Sequence, residues 1–254
     1  MALKRIMPCL LLQGKRLVKT VNFKNASYVG DPINAVKIFN DKEVDELLVL
    51  DILATKNGEI DFDLLKDFTS ECFMPLAYGG GVRTVEDFQK LYSIGIEKVV
   101  VNTLLIDNPK IVKSAANKFG NQSIVASIDV IYNSINDNYE IYSHSNRDIN
   151  MNLEEYLTYV LSLNIGEIFI TSVDREGTWN GFDNDLINYV NNFVDVPIIA
   201  NGGCGSKEDL KNVLYNIGVQ AAALSSMAVY QKKDMGVLIR FPKRNEIIRD
   251  EQSL

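Results

Sequence analysis

Short apolar runs and amphipathic segments alternate along the whole chain. Eight continuous apolar runs predict strands, and the segments between them, with apolar residues at three- and four-residue spacing, predict helices. Continuous apolar runs are typical of parallel strands that are buried on both faces. The predicted strands are residues 5–12, 46–52, 74–78, 98–101, 123–128, 167–171, 197–200 and 221–224, and the predicted helices are residues 32–40, 62–72, 84–93, 109–119, 153–163, 183–192, 207–216 and 234–241.

One stretch of this pattern occurs twice. Residues 75–103 and 197–226 share an apolar strand, a glycine run, a capped helix start, a second strand and small polar residues, with Gly80 and Gly202 at an offset of 122. A match of this length indicates a duplicated half. Eight strand–helix units with such a repeat predict one (βα)8 TIM barrel over residues 1–254, built from duplicated half-barrels of about 1–120 and 121–254. A doubly wound open sheet is the alternative, but it does not account for the repeat.

Two connections are longer than the usual few residues. They are residues 14–32, after the first strand, and residues 130–150, after the fifth. Both follow the carboxyl end of a strand, where barrel enzymes build their active sites. The second alternates apolar and polar residues around Asn136-Asp137-Asn138, which predicts a β-hairpin. His144, the only histidine in the sequence, lies in its polar part, and we expect it to be a solvated loop or hairpin residue.

Charge and cysteine content exclude several classes of function. A net charge of −7 argues against a nucleic-acid partner, whose phosphates need a basic surface. No apolar run reaches the length of about 18 residues that a membrane span needs, so no membrane partner is expected. Cys9, Cys72 and Cys204 show neither a close pair nor metal-binding spacing, which predicts reduced thiols in a cytoplasmic protein without a metal site. We also expect no cofactor.

Each glycine run lies between a strand and a capped helix. Such a loop offers unhindered backbone N–H groups at the positive end of a helix dipole, which suits a phosphate group. The sequence therefore predicts two phosphate sites and a phosphate-bearing small-molecule ligand, although glycines can also serve tight packing alone. The predicted phosphate-binding residues are Gly80, Gly81, Asn102 and Thr103 in one half, and Gly202, Gly203 and Ser225-Ser226 in the other.

Carboxylates follow several predicted strands at the end where barrel active sites lie. Asp51 ends the second strand and Asp129 the fifth, whereas Asp174 and Glu176 follow the sixth. A carboxylate just beyond a buried strand is a candidate general acid or base, but it can also cap a turn or form a salt bridge. Lys19, in the first long connection, is either a partner for a phosphate or carboxylate, or a solvated lysine.

The opposite ends of the strands carry a separate set of charges. Arg5, Glu46, Lys98 and Glu167 each begin a predicted strand. Two positive and two negative side chains at the bottom of a barrel would form a balanced ring across its core. From the residues alone, this ring is either a structural salt-bridge plug or a gate in a pore through the barrel.

Several long segments, spread over essentially the whole chain, match the pattern of one known family. They are KRIMPCLLL, LVKTVNF, GDP, DELLVLDI, YGGGVRTVEDF, KVVVNT, SIDV, GEIFITSVDREGTWNGFD, PIIANGGCGS and the final strand. These segments resemble the HisF family, the cyclase subunits of imidazole glycerol phosphate synthase. The resemblance implies a (βα)8 barrel of duplicated halves and a bis-phosphorylated ribulosyl aminoimidazole substrate. It also implies a HisH-like glutaminase partner, which docks at the barrel bottom and sends ammonia through the core.

The resemblance also implies a role for each matching position. Asp129 would carry out acid–base catalysis, supported by Lys19 and Asp51. The two glycine loops and their strand-end residues would bind the phosphates. The charges at the strand starts would form an ammonia gate made of Arg5, Glu46, Lys98 and Glu167.

One departure from the family pattern changes the functional expectation. The family's CLD at the end of strand 1 reads CLLL here, so Leu11 stands where the family has an aspartate. The half-barrel repeat pairs the same Leu11 with Asp129, at an offset of 118. Leucine cannot transfer a proton, and general acid–base catalysis is commonly worth about 10²–10⁴-fold. The family's DRDGT and KGTNF also read DREGT and KTVNF.

The segments PCLLL and LVKTV resemble a HisF-like subfamily of surface-polysaccharide biosynthesis. There, a HisH-like glutaminase and a separate sugar amidotransferase help to convert an N-acetyl sugar to an acetamidino form, which implies an ammonia-channelling subunit here. One alternative is the histidine-pathway cyclase, which makes imidazole glycerol phosphate and AICAR, with Asp129 alone or assisted by Glu176 or Asp51. Another is a different phosphate-binding barrel, such as a sugar-phosphate isomerase or a binding module. Whether the chain is itself an enzyme stays open at this point.

Overall fold

The computed structural model describes residues 3–144 and 149–248. Eight of its strands are parallel and close into a barrel, because the first also pairs with the last: Arg5 lies opposite Ala221, and Pro8 opposite Leu224. The closed sheet confirms the predicted (βα)8 barrel over an open doubly wound sheet. In chain order the strands are β1 (Arg5–Gln13), β2 (Arg16–Val21), β3 (Lys24–Gly30), β4 (Leu47–Asp51), β5 (Leu76–Gly79), β6 (Lys98–Val101), β7 (Ile124–Asn133), β8 (Asn138–Ile141), β9 (Glu167–Ser172), β10 (Ile198–Asn201) and β11 (Ala221–Leu224).

Three strands lie outside the barrel and form hairpins at its mouth, the end where the barrel strands have their carboxyl termini. β1 continues into an antiparallel hairpin of β2 and β3, and the end of β7 pairs with β8. The second hairpin confirms the one predicted around Asn136-Asp137-Asn138. The first is packed tightly against the segment after β9: the Asn22 N–H donates to the Glu176 carbonyl at 2.9 Å, and a Cβ on Gly177 would lie 2.3 Å from the Thr20 carbonyl oxygen.

Helices connect the barrel strands, and seven of the eight predicted helices are present. No helix in the described ranges is long and apolar enough to cross a membrane. The helices are α1 (Pro32–Asp41), α2 (Ala54–Asn57), α3 (Phe62–Glu71), α4 (Val85–Ser93), α5 (Thr103–Asp107), α6 (Pro109–Phe119), α7 (Leu153–Leu161), α8 (Asn184–Phe193), α9 (Lys207–Lys211, continued by a π-helical turn Asn212–Ile217), α10 (Ser226–Val229) and α11 (Arg244–Ile247).

The helix predicted at residues 234–241 is wrong. Asp234 adopts a φ of +60°, which a right-handed helix cannot accommodate. Gly236 follows in the same segment and is a weak helix former. The chain turns back instead, and Tyr230 forms an isolated antiparallel bridge with Val237. The last two helices, α10 and α11, flank this turn.

The two copies of the repeat begin their helices in the same way. The Thr84 hydroxyl accepts the Asp87 N–H at 3.2 Å, and the Asp87 carboxylate accepts the Thr84 N–H at 2.9 Å. Ser206 and Asp209 repeat both hydrogen bonds, at 3.1 and 2.9 Å. These reciprocal capping boxes satisfy N–H groups that a helix start leaves open, and they place each glycine loop just before its helix.

The barrel strands carry two apolar layers. Side chains alternate along a strand, so Leu10 and Leu12 of β1 pack outward in the larger core, whereas Met7 and Cys9 point into the barrel. This inner layer separates polar groups at the two ends, so each end of the barrel forms a distinct site. The inner layer consists of Met7, Cys9, Leu48, Ala77, Val100, Val125, Phe169, Ile199, Ala221 and Ala223.

Candidate active site at the barrel mouth

Asp129 lies in β7, four residues beyond the inner-layer residue Val125, and is buried. The spacing keeps its side chain on the inward face of the strand. Its Oδ2 accepts a hydrogen bond from Asn102 Nδ2 at 2.9 Å. The same oxygen lies 2.9 Å from Nε2 of His144. The predicted catalytic carboxylate is therefore held by two polar side chains at the mouth.

His144 differs from the solvated loop residue expected from the sequence. Its side chain is 44% exposed, yet its ring contacts Asp129 and two aromatic side chains. The ring centroid lies 5.3 Å from that of Phe23 and 5.1 Å from that of Tyr142. Burial opposes the charged imidazolium, but the hydrogen bond to Asp129 and its charge outweigh burial, so the pKa of His144 is raised.

Lys19 is buried, unlike the solvated lysine that the sequence left as an alternative. Its ammonium donates to the Cys9 carbonyl oxygen at 2.5 Å and to the Ser225 hydroxyl at 2.5 Å. Burial lowers the pKa of Lys19, although the nearby Glu176 carboxylate acts in the opposite direction. A cation is thus placed at the end of β11, next to a predicted phosphate-binding residue.

Glu176 is buried under the first hairpin. Its Oε1 accepts from the Thr20 hydroxyl at 3.1 Å, and its Oε2 accepts from the Phe23 N–H at 3.1 Å. Burial raises the pKa of Glu176 despite these hydrogen bonds. Asp174 accepts the Tyr132 N–H at 2.7 Å and so anchors the second hairpin. Both carboxylates therefore hold hairpins over the mouth.

Asp51 is not joined to the Asp129 cluster by any hydrogen bond among the described residues. Its Oδ1 accepts the N–H groups of Leu53 and Ala54 at 2.9 and 3.0 Å, which is the geometry of a turn cap. Burial raises the pKa of Asp51. The residue also lines an open surface cleft of about 490 Å³ with other acidic side chains, including Asp61. A catalytic role for Asp51 stays a prediction.

Leu11 occupies the position in β1 that corresponds to Asp129 in β7. It lies two residues beyond the inner-layer Cys9 and opposite Leu50 of β4, and it is buried. The inward face of β1 thus ends in an apolar side chain. The mouth has a carboxylate on one side and no proton-transferring group at the matching position on the other.

The second glycine loop surrounds a small cavity. Gly202 and Gly203 have φ of +96° and +95°, and a Cβ on Gly203 would lie 2.1 Å from the Gly181 carbonyl oxygen. Only glycine avoids that collision in this backbone conformation. Ser225 and Ser226 line the same cavity, together with Gly177 and Trp179. The structure therefore brings the predicted second-half phosphate residues together.

The first glycine loop is arranged differently. Gly80 has a φ of +124°, and a Cβ there would lie 2.4 Å from the Asp51 carbonyl oxygen, so this glycine allows close packing. The Gly81 N–H donates to the Thr55 hydroxyl at 3.2 Å. Asn102, which precedes Thr103 at the start of α5, turns its side chain to Asp129. These groups lie close to the mouth, but two of the expected donors already have protein partners.

The four charged residues at the strand starts form a closed ring, called the lower ring below. Arg5 contacts the carboxylates of both Glu46 and Glu167. Lys98 Nζ lies 3.0 Å from a carboxylate oxygen of each as well. Positive and negative charges therefore alternate around the lower end of the barrel. The carboxylates are nearly buried, whereas the cations are about one-fifth exposed.

Sequence reasoning missed two further polar residues at the mouth. Asn201 ends β10, and its Nδ2 donates to the Thr171 hydroxyl at 3.1 Å, while its buried Oδ1 has no hydrogen-bond partner among the described residues. Asn201 and Thr171 are the last inward-facing residues of β10 and β9. The two-residue alternation of side chains along a strand could have identified them from the sequence. The described residues contain no group of three metal-binding side chains placed to hold an ion.

Comparison with known proteins agrees with this architecture. A sequence profile of the family described as "Histidine biosynthesis protein" matches residues 5–234. A Pseudomonas aeruginosa protein provisionally named imidazole glycerol phosphate synthase subunit hisF2 is 42% identical over 248 residues, covering 97% of this chain and 99% of its own length. A Leptospira interrogans protein with a provisional HisF name is 40% identical over 244 residues, covering 95% and 96%.

A third relative carries the name without that qualification. The imidazole glycerol phosphate synthase subunit HisF of Methanococcus vannielii is 34% identical over 268 aligned positions, which cover 97% of this chain and 98% of that protein. In each comparison the aligned region covers nearly the full length of both chains. The family profile also covers most of this chain. The chain therefore belongs to the HisF family of imidazole glycerol phosphate synthase subunits.

Proposed function

We propose that this chain is the ammonia-using subunit of an imidazole glycerol phosphate synthase-type complex with a HisH-like glutaminase. Its proposed acceptor is the bis-phosphorylated ribulosyl aminoimidazole intermediate, which reacts with ammonia to give imidazole glycerol phosphate and AICAR. One observation carries the proposal: the lower ring and the Asp129 cluster lie at opposite ends of one apolar barrel interior. The names of the relatives support this reaction.

The lower ring is the proposed ammonia gate. Its four charges balance, and it is closed by contacts of both cations with both carboxylates. Passage would require one cation to leave its carboxylates, and Lys98, on a flexible stem, is the simpler one to move. The apolar layer above the ring favours neutral ammonia over ammonium, because burying an unpaired charge is costly.

The mouth supplies the proposed acid–base and anion-binding groups. Asp129 is the proposed proton-transfer residue, since it is a buried carboxylate at a strand end. Lys19 donates to Ser225 beside the second glycine loop, and a phosphate there would offset the cost of burying its ammonium. The proposed phosphate sites are Gly202, Gly203 and Ser225 in one half and Gly80, Gly81, Asn102 and Thr103 in the other. Glu176 and Asp51 are proposed supporting carboxylates.

A cytoplasmic location fits this role. Cys9, Cys72 and Cys204 are all free thiols. Unpaired cysteines are expected where thiols are kept reduced, and this supports our proposal that the complex works in the cytoplasm.

Leu11 favours a second candidate function. A mouth without the second carboxylate suits a subunit that delivers ammonia to another acceptor, in amidination of a surface-polysaccharide sugar with a separate sugar amidotransferase. The lower ring and the glutaminase would keep their roles under this candidate. Only the acceptor at the mouth would differ.

The acceptor is tested with the purified chain, ammonium chloride and the bis-phosphorylated intermediate. Under the first proposal, imidazole glycerol phosphate forms, and Leu11→Asp raises turnover towards the gain of about 10²–10⁴-fold that acid–base groups give. Leu11→Asn is the matched control, because asparagine has the size and polarity of aspartate but cannot act as a general acid or base. Turnover absent from both the natural chain and Leu11→Asp would refute the cyclase reaction and leave the sugar acceptor.

The gate is tested in the complex with a HisH-like glutaminase from the same genome. Lys98→Met should change the glutamine-dependent rate while the rate with free ammonium stays the same. Lys37→Met is the control, since Lys37 lies in α1, is exposed and pairs with Glu71 rather than with a member of the lower ring. Equal changes in both rates, or no complex at all, would contradict the proposed delivery route.

A further inference from the structure

The mouth of this barrel contains an imidazole in direct contact with its buried carboxylate. His144 follows β8, and its Nε2 lies 2.9 Å from Asp129 Oδ2. The backbone also ties the two residues together, because the Tyr142 N–H donates to the Asp129 carbonyl at 2.8 Å. The segment that leads to His144 is therefore tied to the strand that carries the carboxylate.

Two aromatic side chains hold the imidazole from different elements. Phe23 comes from the hairpin of β2 and β3, and Tyr142 from the end of the second hairpin, with 5.7 Å between their own ring centroids. Phe23 is in turn fixed by the hydrogen bond from its N–H to Glu176. The described titratable groups that face His144 are thus Asp129 and the Tyr142 phenol, with Glu176 beyond Phe23.

The contact between His144 and Asp129 matters chemically because Leu11 occupies the position on β1 that corresponds to Asp129 on β7. An acid–base site that gives and takes protons at two different positions of its acceptor uses two groups able to hold a proton. Asp129 is one of them, and Leu11 cannot be the other. Both hydrogen bonds described for the Asp129 side chain end on Oδ2, so His144 and Asn102 contact the same carboxylate oxygen.

We propose that His144 is a positioning residue for Asp129 and supplies the second proton-holding group of the mouth. Asp129 takes the proton from the acceptor on Oδ2, the oxygen that lies 2.9 Å from Nε2, and passes it to the unprotonated Nε2 of the neutral imidazole, so the carboxylate is restored and the ring becomes the cation. The reverse transfer returns the proton when the product is protonated, and no electrons are exchanged. This role rests on the proposed ammonia-using reaction, whichever of the two acceptors is used.

The pair is tested first without any activity measurement. The chain has a single histidine, so the imidazole signals of the untagged, 15N-histidine-labelled protein belong to His144. We expect a midpoint above the ordinary value of about 6.5, and a fall of that midpoint in Asp129→Asn. An identical midpoint in the natural chain and Asp129→Asn would overturn the pair, whichever reaction the chain carries out.

The catalytic consequence is tested by the pH dependence of turnover with ammonium chloride and the bis-phosphorylated intermediate. His144→Gln keeps an N–H near Asp129 but cannot titrate, so it should lose the limb of the profile that matches the imidazole midpoint, mainly in kcat. Tyr142→Phe, which keeps the ring beside His144, should retain that limb. An unchanged profile in His144→Gln would overturn the role. No turnover by the natural chain would refute the cyclase proposal, while the titration still decides the pair.

Discussion

Replacing Glu46 with glutamine removes one of the two anions of the lower ring without changing its size. The Glu46 side chain is only 4% exposed and contacts both Arg5 and Lys98, the latter at 3.0 Å. Glutamine keeps an acceptor oxygen but no charge. The two cations would then share Glu167 alone, and the ring would carry an excess positive charge.

The size of the effect follows from the burial of the ring. Removing one partner of a fully buried ion pair costs about 3–5 kcal/mol. Arg5 and Lys98 are about one-fifth exposed and keep Glu167, so we expect a lower cost of about 2–3 kcal/mol for Glu46→Gln. For a chain of this size, that corresponds to a fall in Tm of about 4–12 °C.

Thermal and urea unfolding measure this cost, with Glu71→Gln as the matched control. Glu71 pairs with Lys37 at 3.3 Å, but both side chains are well exposed, at 39% and 53%, so its loss should cost at most about 1 kcal/mol. Lys98→Met added to Glu46→Gln restores one cation and one anion, so the double variant should lose less stability than the sum of its parts. Equal melting of the two glutamine variants would refute the reasoning.

Three other substitutions probe the mouth. Lys19→Met removes a buried ammonium whose pKa is lowered by burial, so Tm should stay or rise while turnover falls about a hundredfold; a lower Tm would contradict this. Gly203→Ala should lower the free energy of unfolding in urea by about 1–3 kcal/mol, because its Cβ would collide with the Gly181 carbonyl oxygen. Gly236→Ala is the control and should be nearly neutral, because a Cβ there would meet no atom within 4 Å. Because the pKa of His144 is raised, the natural chain should be more stable than His144→Gln, and the difference should be largest below about pH 6.5. It should vanish as the pH rises through the raised pKa, and a difference in stability that does not depend on pH would refute the prediction.

The barrel was predictable because its signals are local. Continuous apolar runs separated by capped helices mark strand after strand, and both capping boxes lie where the sequence places them. The helix predicted at residues 234–241 failed for the opposite reason. Its apolar spacing is compatible with a helix, but Asp234 in a left-handed conformation and Gly236 turn the chain back on itself. The spacing of apolar residues alone does not predict such a turn.

The two ends of the barrel differ in how far the sequence could predict them. The lower ring followed from the strand pattern, because three of its charged residues begin barrel strands and Glu46 directly precedes one. His144 was expected in solvent because its contact with Asp129 depends on the path of the chain after β8, where no periodic pattern exists. Asn102 was predicted to bind a phosphate, and its contact with the Asp129 carboxylate is seen only in the folded chain.

The polar contacts at both ends of the barrel cross between the predicted half-barrels. Asn102 of the first half holds Asp129 of the second, and Lys19 of the first donates to Ser225 of the second. In the lower ring, both cations come from the first half and reach Glu167 of the second. The buried Glu167 carboxylate of the second half has both of its described ion-pair partners in the first half. Unpaired buried charges are costly, so the second half alone would leave this carboxylate without its stabilising cations. The loss of symmetry at Leu11 is tolerable for the same reason: the groups around Asp129 are supplied across the barrel and from the hairpins, not by a copy of the same strand.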